Sequence, residues 1–382
     1  MGNPVKKLVL SGYYGFGNSG DEAVLQSILL ALRAEGERQQ VRIEPIVLSI
    51  RPKETAAMYG VTAVHRMRLG ELVRALRECD GLISGGGSLL QDATGIKTIP
   101  YYLAVLKIAQ LLRKPTFIYA QGIGPVRRSM FFPFIRHVFN KCAYVSVRDQ
   151  ESADLLATMG VRASGLTVVP DPVMGLDVKE SVLRSNTKKN DKPVIGVSVR
   201  FWNGDRSELD SLARSLRSIA ERRPVVIRML PFHMPDDVKA SRYVIERMGA
   251  LPDHAEWDMR EGIDHPQDML AEVASCDLLI GMRLHSLIYA ASQHVPLLGI
   301  SYDPKIDQFL NRLGMQAVAS TSSFDSEAVT AQGLQLLDHQ TDWITEKREA
   351  IEQLKQQARL PAQQIVEMVH TKVDRKNVAL SR

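Results

Sequence analysis

Lys6-Lys-Leu-Val-Leu-Ser-Gly-Tyr-Tyr-Gly-Phe-Gly-Asn-Ser-Gly-Asp-Glu22 is followed by a segment carrying Val24, Leu25, Ile28, Leu29 and Leu32. Residues 7–11 read as a short buried strand. The later apolar positions recur with the period of one helix face, so a helix is predicted from near Ala23. Between them stand Gly12, Gly15, Gly17 and Gly20. Glycine lets the backbone approach a ligand closely, and the start of a helix directs unpaired N–H groups at it. Strand, glycine loop and helix together predict an α/β protein that binds a phosphate or carboxylate at its first turn.

Gly15-x-Gly17-x-x-Gly20 also has the spacing of a dinucleotide fingerprint, which needs an acid at the tip of the second strand. The second strand candidate, 41–50, runs into Arg51-Pro52, and its acid, Glu44, comes too early. Arg51 leaves a 2′-phosphate open. A tight turn with no ligand is the other alternative.

At 382 residues the chain has room for two ordinary domains, and 45% hydrophobic with 24% charged residues is a soluble globular composition. No secretory segment is read, and the longest apolar run, 101–112, is broken by Lys107. A cytoplasmic protein is expected, at most peripheral at the inner face of the membrane. Such contact would use Arg127, Arg128 and Arg136 near Phe131 and Phe132. Cys79, Cys142 and Cys276 lack metal-ligand spacing and are expected to pack as small apolar groups in a reducing compartment. A net charge of +5 suits anionic substrates or anionic lipid, while no signature of nucleic-acid binding occurs.

Short apolar strands bounded by glycine recur at 79–87, 116–122, 143–147 and 166–172, with helical stretches between them. After a polar stretch the pattern restarts at 193–200, 224–230, 276–281 and 295–301. The expected fold is α/β, with two Rossmann-like domains facing a cleft. Residues 1–178 and 193–325 form the domains, 179–192 the linker, and helices over 326–382 pack back across both. Cys79-Asp80 and Cys276-Asp277 open nearly the same strand in each half, which predicts a shared plan. Trp343, Ile344, Lys347, Ile351, Leu354 and Ala358 make one stripe of the C-terminal helices, for which an oligomer contact is the alternative.

Ligands of such sheets bind at the strands' carboxyl ends. Those ends carry the glycine loop, Gly85-Gly86-Gly87-Ser88, Gln121-Gly122, Arg148-Asp149 and Asp171-Pro172 in the first half. In the second they carry Arg200-Phe-Trp-Asn203, Pro231-Phe-His233, Gly281-Met-Arg283-Leu-His285-Ser286 and Ser301-Tyr-Asp303-Pro-Lys305. Three arginines, two histidines and a lysine point to an anionic substrate. His285 and Ser286 fall at a helix start, just after Arg283. There the helix end and the guanidinium favour neutral imidazole, and an arriving phosphate favours imidazolium. The alternatives are a histidine capping its own helix, Arg148 paired with Asp149 or Glu151, and Arg200 at the surface or a domain interface. No metal-binding motif, nucleophile elbow or Walker lysine occurs, so arginines must neutralise the anion.

The ordered set Gly-Asn-Ser-Gly-Asp-Glu-Ala (17–23), Gly-Gly-Gly-Ser-Leu-Leu-Gln-Asp (85–92), Gln-Gly-Ile-Gly-Pro (121–125), Val-Arg-Asp (147–149) with Ser152, Asp-Pro (171–172) and Arg-Leu-His-Ser (283–286) resembles the polysaccharide pyruvyl transferase family, most closely its CsaB type. The resemblance implies a GT-B-like fold. It also implies transfer of the carboxyethylidene unit of phosphoenolpyruvate to a sugar diol with release of phosphate. The acceptor it implies is N-acetylmannosamine in a lipid-diphosphate-linked ManNAc-GlcNAc precursor of the secondary cell wall polymer. The 4,6-ketal formed there anchors S-layer proteins. Arg283, Leu284 and His285 match the family's donor and catalytic element. On this reading His285 and Arg283 are catalytic, and Arg148, Arg200, Leu284, Ser286 and Lys305 bind the donor. Gly17, Asn18, Ser19, Gly20, Asp21, Gly86, Gln121 and Asp171 position acceptor or phosphate. Neither metal nor cofactor is expected beyond phosphoenolpyruvate as co-substrate. The rivals are a nucleotide-sugar glycosyltransferase of the same fold and a non-catalytic sugar-phosphate binding module.

Overall fold

Strand β1 (Val5–Ser11) pairs in parallel with β2 (Arg42–Ser49) on one side and β4 (Gly81–Gly85) on the other. It thereby sits inside a sheet that continues through β3 (Thr62–His65), β5 (Thr116–Gln121), β6 (Tyr144–Val147) and β7 (Thr167–Val168) in the order β3-β2-β1-β4-β5-β6-β7. A second parallel sheet holds β8 (Val194–Ser198), β9 (Val226–Met229), β10 (Glu256–Met259), β11 (Leu278–Gly281), β12 (Leu297–Ser301) and β13 (Ala319–Ser320) in the order β10-β9-β8-β11-β12-β13. Both are doubly wound. Each reverses direction beside its first strand, between β1 and β4 and between β8 and β11, where open α/β sheets bind ligands. This architecture comes from a computed structural model that describes residues 3–92, 95–162, 165–178 and 191–380, without the side chains of 372–380.

The chain's contacts divide it into two units. Unit 1 comprises residues 1–16, 21–176 and those from Leu354 onward; unit 2 comprises Gly17–Gly20 and Asp177–Gln353. Each has its own apolar core, around Leu82, Ile118 and Val145 in one and Ile195, Ile227 and Ile280 in the other. These strand residues are wholly or almost wholly buried, as strands covered on both faces must be. Of the expected linker, residues 179–190 lie outside the described residues.

The internal echo has a structural counterpart. Asp80 accepts the backbone N–H of Lys7 at 2.9 Å and returns its own N–H to the Lys7 carbonyl at 2.7 Å. Asp277 does the same with Val194, at 2.8 Å in both directions. In each unit an aspartate ahead of the fourth strand thus clamps the start of the first, satisfying backbone groups where the ladder begins.

Two features depart from the sequence reading. The first helix starts at Ser19 rather than near Ala23 and runs to Arg38. Asn18 accepts the Gly20 N–H on Oδ1 at 3.0 Å, an N-cap, and Asp21 and Glu22 complement the helix dipole in the first turn. Strand β13 was not anticipated, nor were β3 and β10. The latter two are edge strands without fully buried residues, so they lack the apolar run that marks interior strands.

The long C-terminal helix, Gln340–Leu380, carries the expected stripe. Trp343, Ile351, Leu354 and Ala358 are buried against the chain's own residues, and the stripe extends through Ala362, Ile365, Val366 and Val369. The helix lies close enough to Gly175 that a β-carbon there would stand 3.5 Å from that of Ala358. The stripe is therefore part of the chain's own core, which removes the oligomer alternative for these residues.

Candidate functional site

In unit 2, β11 ends at Gly281 and the next helix is Leu284–Ser292, with Arg283 at its N-cap. Ser286 is buried and its hydroxyl donates to the Arg283 carbonyl at 2.7 Å, closing the first turn. Leu284 and His285 begin the helix and stay half-buried. Gly20 packs on the His285 imidazole so closely that an added β-carbon would sit 2.4 Å from Nδ1. That approach requires glycine, whatever the helix propensity of alanine.

Arg283 is held by a residue the sequence did not single out. Asp237, fully buried, accepts from Arg283 Nε at 3.0 Å and from Nη2 as well. It also accepts the backbone N–H groups of Phe232 (3.2 Å) and His233 (2.9 Å). One carboxylate therefore fixes both the arginine and the loop after β9. The fork spends two of five guanidinium N–H bonds and leaves Nη1 to reach a ligand.

Arg200, just past β8, is arranged differently. Its Nη1 donates to the Tyr302 hydroxyl at 3.0 Å, and its guanidinium carbon lies 4.8 Å from the Tyr302 ring and 5.2 Å from Trp202. Among the described residues no carboxylate pairs with it, and its Nε is buried without a hydrogen-bond partner. Aromatic faces hold this cation without neutralising it. Asn18, Arg200, Phe201, His233, Asp236, Asp237 and Arg283 line a pocket of about 380 Å³. Asn18 also bridges to the backbone of His233. Lys305 does not line this pocket; its backbone N–H donates to Asp303 Oδ1 at 3.0 Å, capping the helix Pro304–Arg312.

In unit 1 the carboxyl ends gather a different group. Arg148 Nη2 donates to the Ser88 hydroxyl at 2.8 Å, Nη1 to Asp171 at 3.4 Å, and Asp149 lies 3.5 Å from Nε. Asp171 also caps Val173, accepting its N–H at 3.1 Å. Asp21 completes the cluster. Burial pushes its carboxyl up to about 7, an effect that the nearby Arg148 charge opposes and those of Glu22 and Asp171 reinforce. Glu22, likewise raised by burial, accepts the Gly15 N–H at 2.8 Å and the Tyr59 hydroxyl at 2.8 Å. An N–H of the glycine loop is thus already taken by a carboxylate. Arg51, considered for a 2′-phosphate, pairs with Glu54 at 3.4 Å.

Gln121 is buried at the end of β5; its Oε1 accepts the Ser84 hydroxyl at 3.4 Å while Nε2 has no partner. Gly86 serves packing, since a β-carbon there would come within 1.8 Å of Val24. Gly17 has φ +72° with open space around it, and Ser19 starts the helix. The structure thus groups Arg200, Arg283 and Asn18 in one pocket, and Asp21, Arg148 and Asp171 in one cluster.

The model of the polysaccharide pyruvyl transferase family matches residues 18–304, three-quarters of the chain. The chain belongs to the polysaccharide pyruvyl transferase family. The matched span takes in every feature of the two clusters, beginning at Asn18 and stopping just before Lys305. The chain is 22% identical over 414 residues to the amylovoran biosynthesis protein AmsJ of Erwinia amylovora, covering 91% of this chain and 96% of that one. It is also similar to the UDP-GlcNAc 2-epimerase of Neisseria meningitidis bound to UDP-GlcNAc (TM-score 0.63, 10% identity, 97% and 100% of the two chains). Anabaena Alr3699/HepE in complex with UDP-glucose is a further likeness (TM-score 0.59, 16% identity, 96% and 100%). At these identities the solved structures establish the fold alone: two parallel-sheet α/β domains of the GT-B kind.

Asp237, Trp202 and Tyr302 are what sequence reasoning missed. Asp237 sits in Pro235-Asp-Asp237, which looks like the ordinary acidic first turn of a helix. Only its complete burial separates it from the exposed Asp236.

Proposed function

We propose that this pyruvyl transferase moves the carboxyethylidene unit of phosphoenolpyruvate onto the 4,6-diol of N-acetylmannosamine in a lipid-diphosphate-linked ManNAc-GlcNAc precursor. The product would serve S-layer anchoring, as in the CsaB type. One observation carries the donor assignment: Arg200 is an unneutralised guanidinium with an orphaned Nε, in a pocket shared with Arg283 and His233. A half-buried cation lacking a carboxylate is stabilised by an anionic ligand, and bidentate guanidinium suits both carboxylate and phosphate. Unit 1 has the opposite balance. Arg148 is surrounded by Asp21, Asp149 and Asp171, so that cluster suits a neutral polyol rather than a second anion. The donor is therefore assigned to the pocket of unit 2 rather than to this cluster.

The reaction then balances. His285 as imidazolium protonates C3 of the enol, and a sugar hydroxyl adds to C2 of the resulting oxocarbenium. The C2–O bond to phosphate breaks, phosphate departs with that electron pair, and the second hydroxyl closes the ketal. The two hydroxyl protons leave, one replacing the imidazolium proton and one going to phosphate. Arg283 and Arg200 hold carboxylate and phosphate through these steps.

The test incubates enzyme, phosphoenolpyruvate and a ManNAc-GlcNAc-diphosphate acceptor bearing a short lipid. The expected result is one phosphate released per ketal gained by mass. His285→Gln lowers turnover by roughly 10²–10⁴-fold, the usual worth of one acid–base group. UDP release from a UDP-sugar without ketal formation would overturn the proposal.

A further inference from the structure

In unit 1, β3, β2, β1, β4 and β5 lie side by side and run parallel, so the loops leaving them share one edge of the sheet. That edge is unusually apolar. Met67 and Leu69 follow β3 and are 63% and 65% exposed; Met130 and Phe134 follow β5 and are each 61% exposed. Ile96 follows β4, also exposed, and the rings of Tyr13 and Phe16 follow β1, stacked at 3.9 Å and half open to solvent. Of the other comparably open residues of unit 1 among those described, Val5 and Leu111 stand at the amino ends of the strands, Val168 ends β7 and Leu360 lies on the C-terminal helix. Single exposed apolar residues are ordinary; seven along one edge are not.

The same loops are basic. Arg51, Lys53, Arg68, Lys97, Arg127 and Arg128 are exposed there. Arg51 and Arg68 pair with Glu54 and Glu71, and Arg128 with the buried Asp92. Lys53, Lys97 and Arg127 have no ion pair among the described residues. The patch expected from sequence shifts accordingly. Phe131 is buried and Phe132 packs on the core, while Arg136 lies against Gly160; Met130 and Phe134 are outermost instead.

We infer that this carboxyl-end rim of unit 1 docks on the surface of an anionic lipid bilayer, its apolar side chains entering the headgroup boundary and its free cations facing lipid phosphates. Interleaved apolar and basic residues match that surface, whereas a protein partner of the same apolar character supplies no reason for the excess positive charge. The inference rests on the proposed lipid-linked acceptor for its purpose only, because the rim itself is read from unit 1 alone.

The test is co-sedimentation of the full chain with vesicles of phosphatidylcholine, with and without phosphatidylglycerol. Binding is expected to the phosphatidylglycerol vesicles and to weaken with added salt. Leu69→Gln with Phe134→Gln should reduce it about tenfold, the scale for removing two partly inserted side chains. Lys53→Glu with Lys97→Glu should remove its preference for phosphatidylglycerol. Both variants should melt like the parent and turn over a water-soluble acceptor at the parent rate. Equal binding by parent and Leu69→Gln/Phe134→Gln, or no binding by the parent at low salt, would overturn the inference. So would a dimer dissolved by the same substitutions in place of vesicle binding. If the soluble acceptor is never pyruvylated, the proposed reaction fails while the vesicle result still decides this one.

Discussion

Asp237→Asn isolates what one buried carboxylate contributes to unit 2. Asp237 Oδ2 accepts three N–H groups, from Phe232, His233 and Arg283 Nε, and Oδ1 accepts from Arg283 Nη2. Asparagine keeps the shape but offers one carbonyl oxygen. With that oxygen in the place of Oδ2, the amide NH₂ faces the Arg283 Nη2 donor. One charge-assisted hydrogen bond is lost, worth about 1.5–3 kcal/mol, and a guanidinium only 20% exposed loses its counter-charge. Truncating one side of a buried pair costs about 3–5 kcal/mol, so about 3 kcal/mol is expected for this milder change. The three tryptophans, Trp202, Trp257 and Trp343, all lie in unit 2, so their fluorescence in urea follows that unit. With an m-value of about 1–3 kcal/mol/M, the midpoint should fall by roughly 1–3 M at unchanged slope. Loosening Arg283 should also weaken phosphoenolpyruvate binding about tenfold. A midpoint moved by less than about 0.3 M at the same slope would refute the idea that Asp237 anchors the arginine.

Gly20→Ala places a β-carbon against His285 Nδ1, so turnover should fall at least about tenfold with the far-ultraviolet spectrum unchanged; parent-like turnover counts against His285 as the acid. Asp21, pushed up to about 7 from 3.8, holds a proton in the folded state that the unfolded chain has already released. The stabilising contribution of the protonated group is complete below about pH 4 and is lost as pH rises through about 7. The ceiling is about 4 kcal/mol, from 1.36 kcal/mol per pH unit, and less for a partly open side chain. Thermal unfolding of Asp21→Asn should lack that decline, and parallel pH profiles would exclude it. Burial raises all three thiols, Cys142 and Cys276 to about 12. At pH 8 the native protein should react with a disulfide reagent at least about a hundredfold more slowly than free cysteine, and fast modification of any thiol would contradict the packing.

How much of this was legible depended on whether a signal was local. The interior strands were read within a residue or two because burial on both faces forces a continuous apolar run. The edge strands β3, β10 and β13 escaped because half-exposed or two-residue strands need no such run. The first helix was placed four residues late, although Asn18-Ser-Gly-Asp-Glu22 contains its cap and acidic first turn. The turn at Arg283 and His285 was legible as a strand-to-helix junction, and Ser286 within it proved to close the helix.

By itself the sequence determined the α/β class, the repeated plan of two doubly wound units, and the loops that carry chemistry. Periodicity and glycine spacing are properties of neighbouring residues, and they survive without knowledge of the rest of the chain. Only the tertiary structure decided which charges remain available. Arg283 is bound to a carboxylate 46 positions away, Arg148 to one 23 positions away, and Arg200 to none among the described residues. A guanidinium's capacity to hold an anion depends on which charges stand within a few ångströms of it, and the path of the chain through space sets those neighbours.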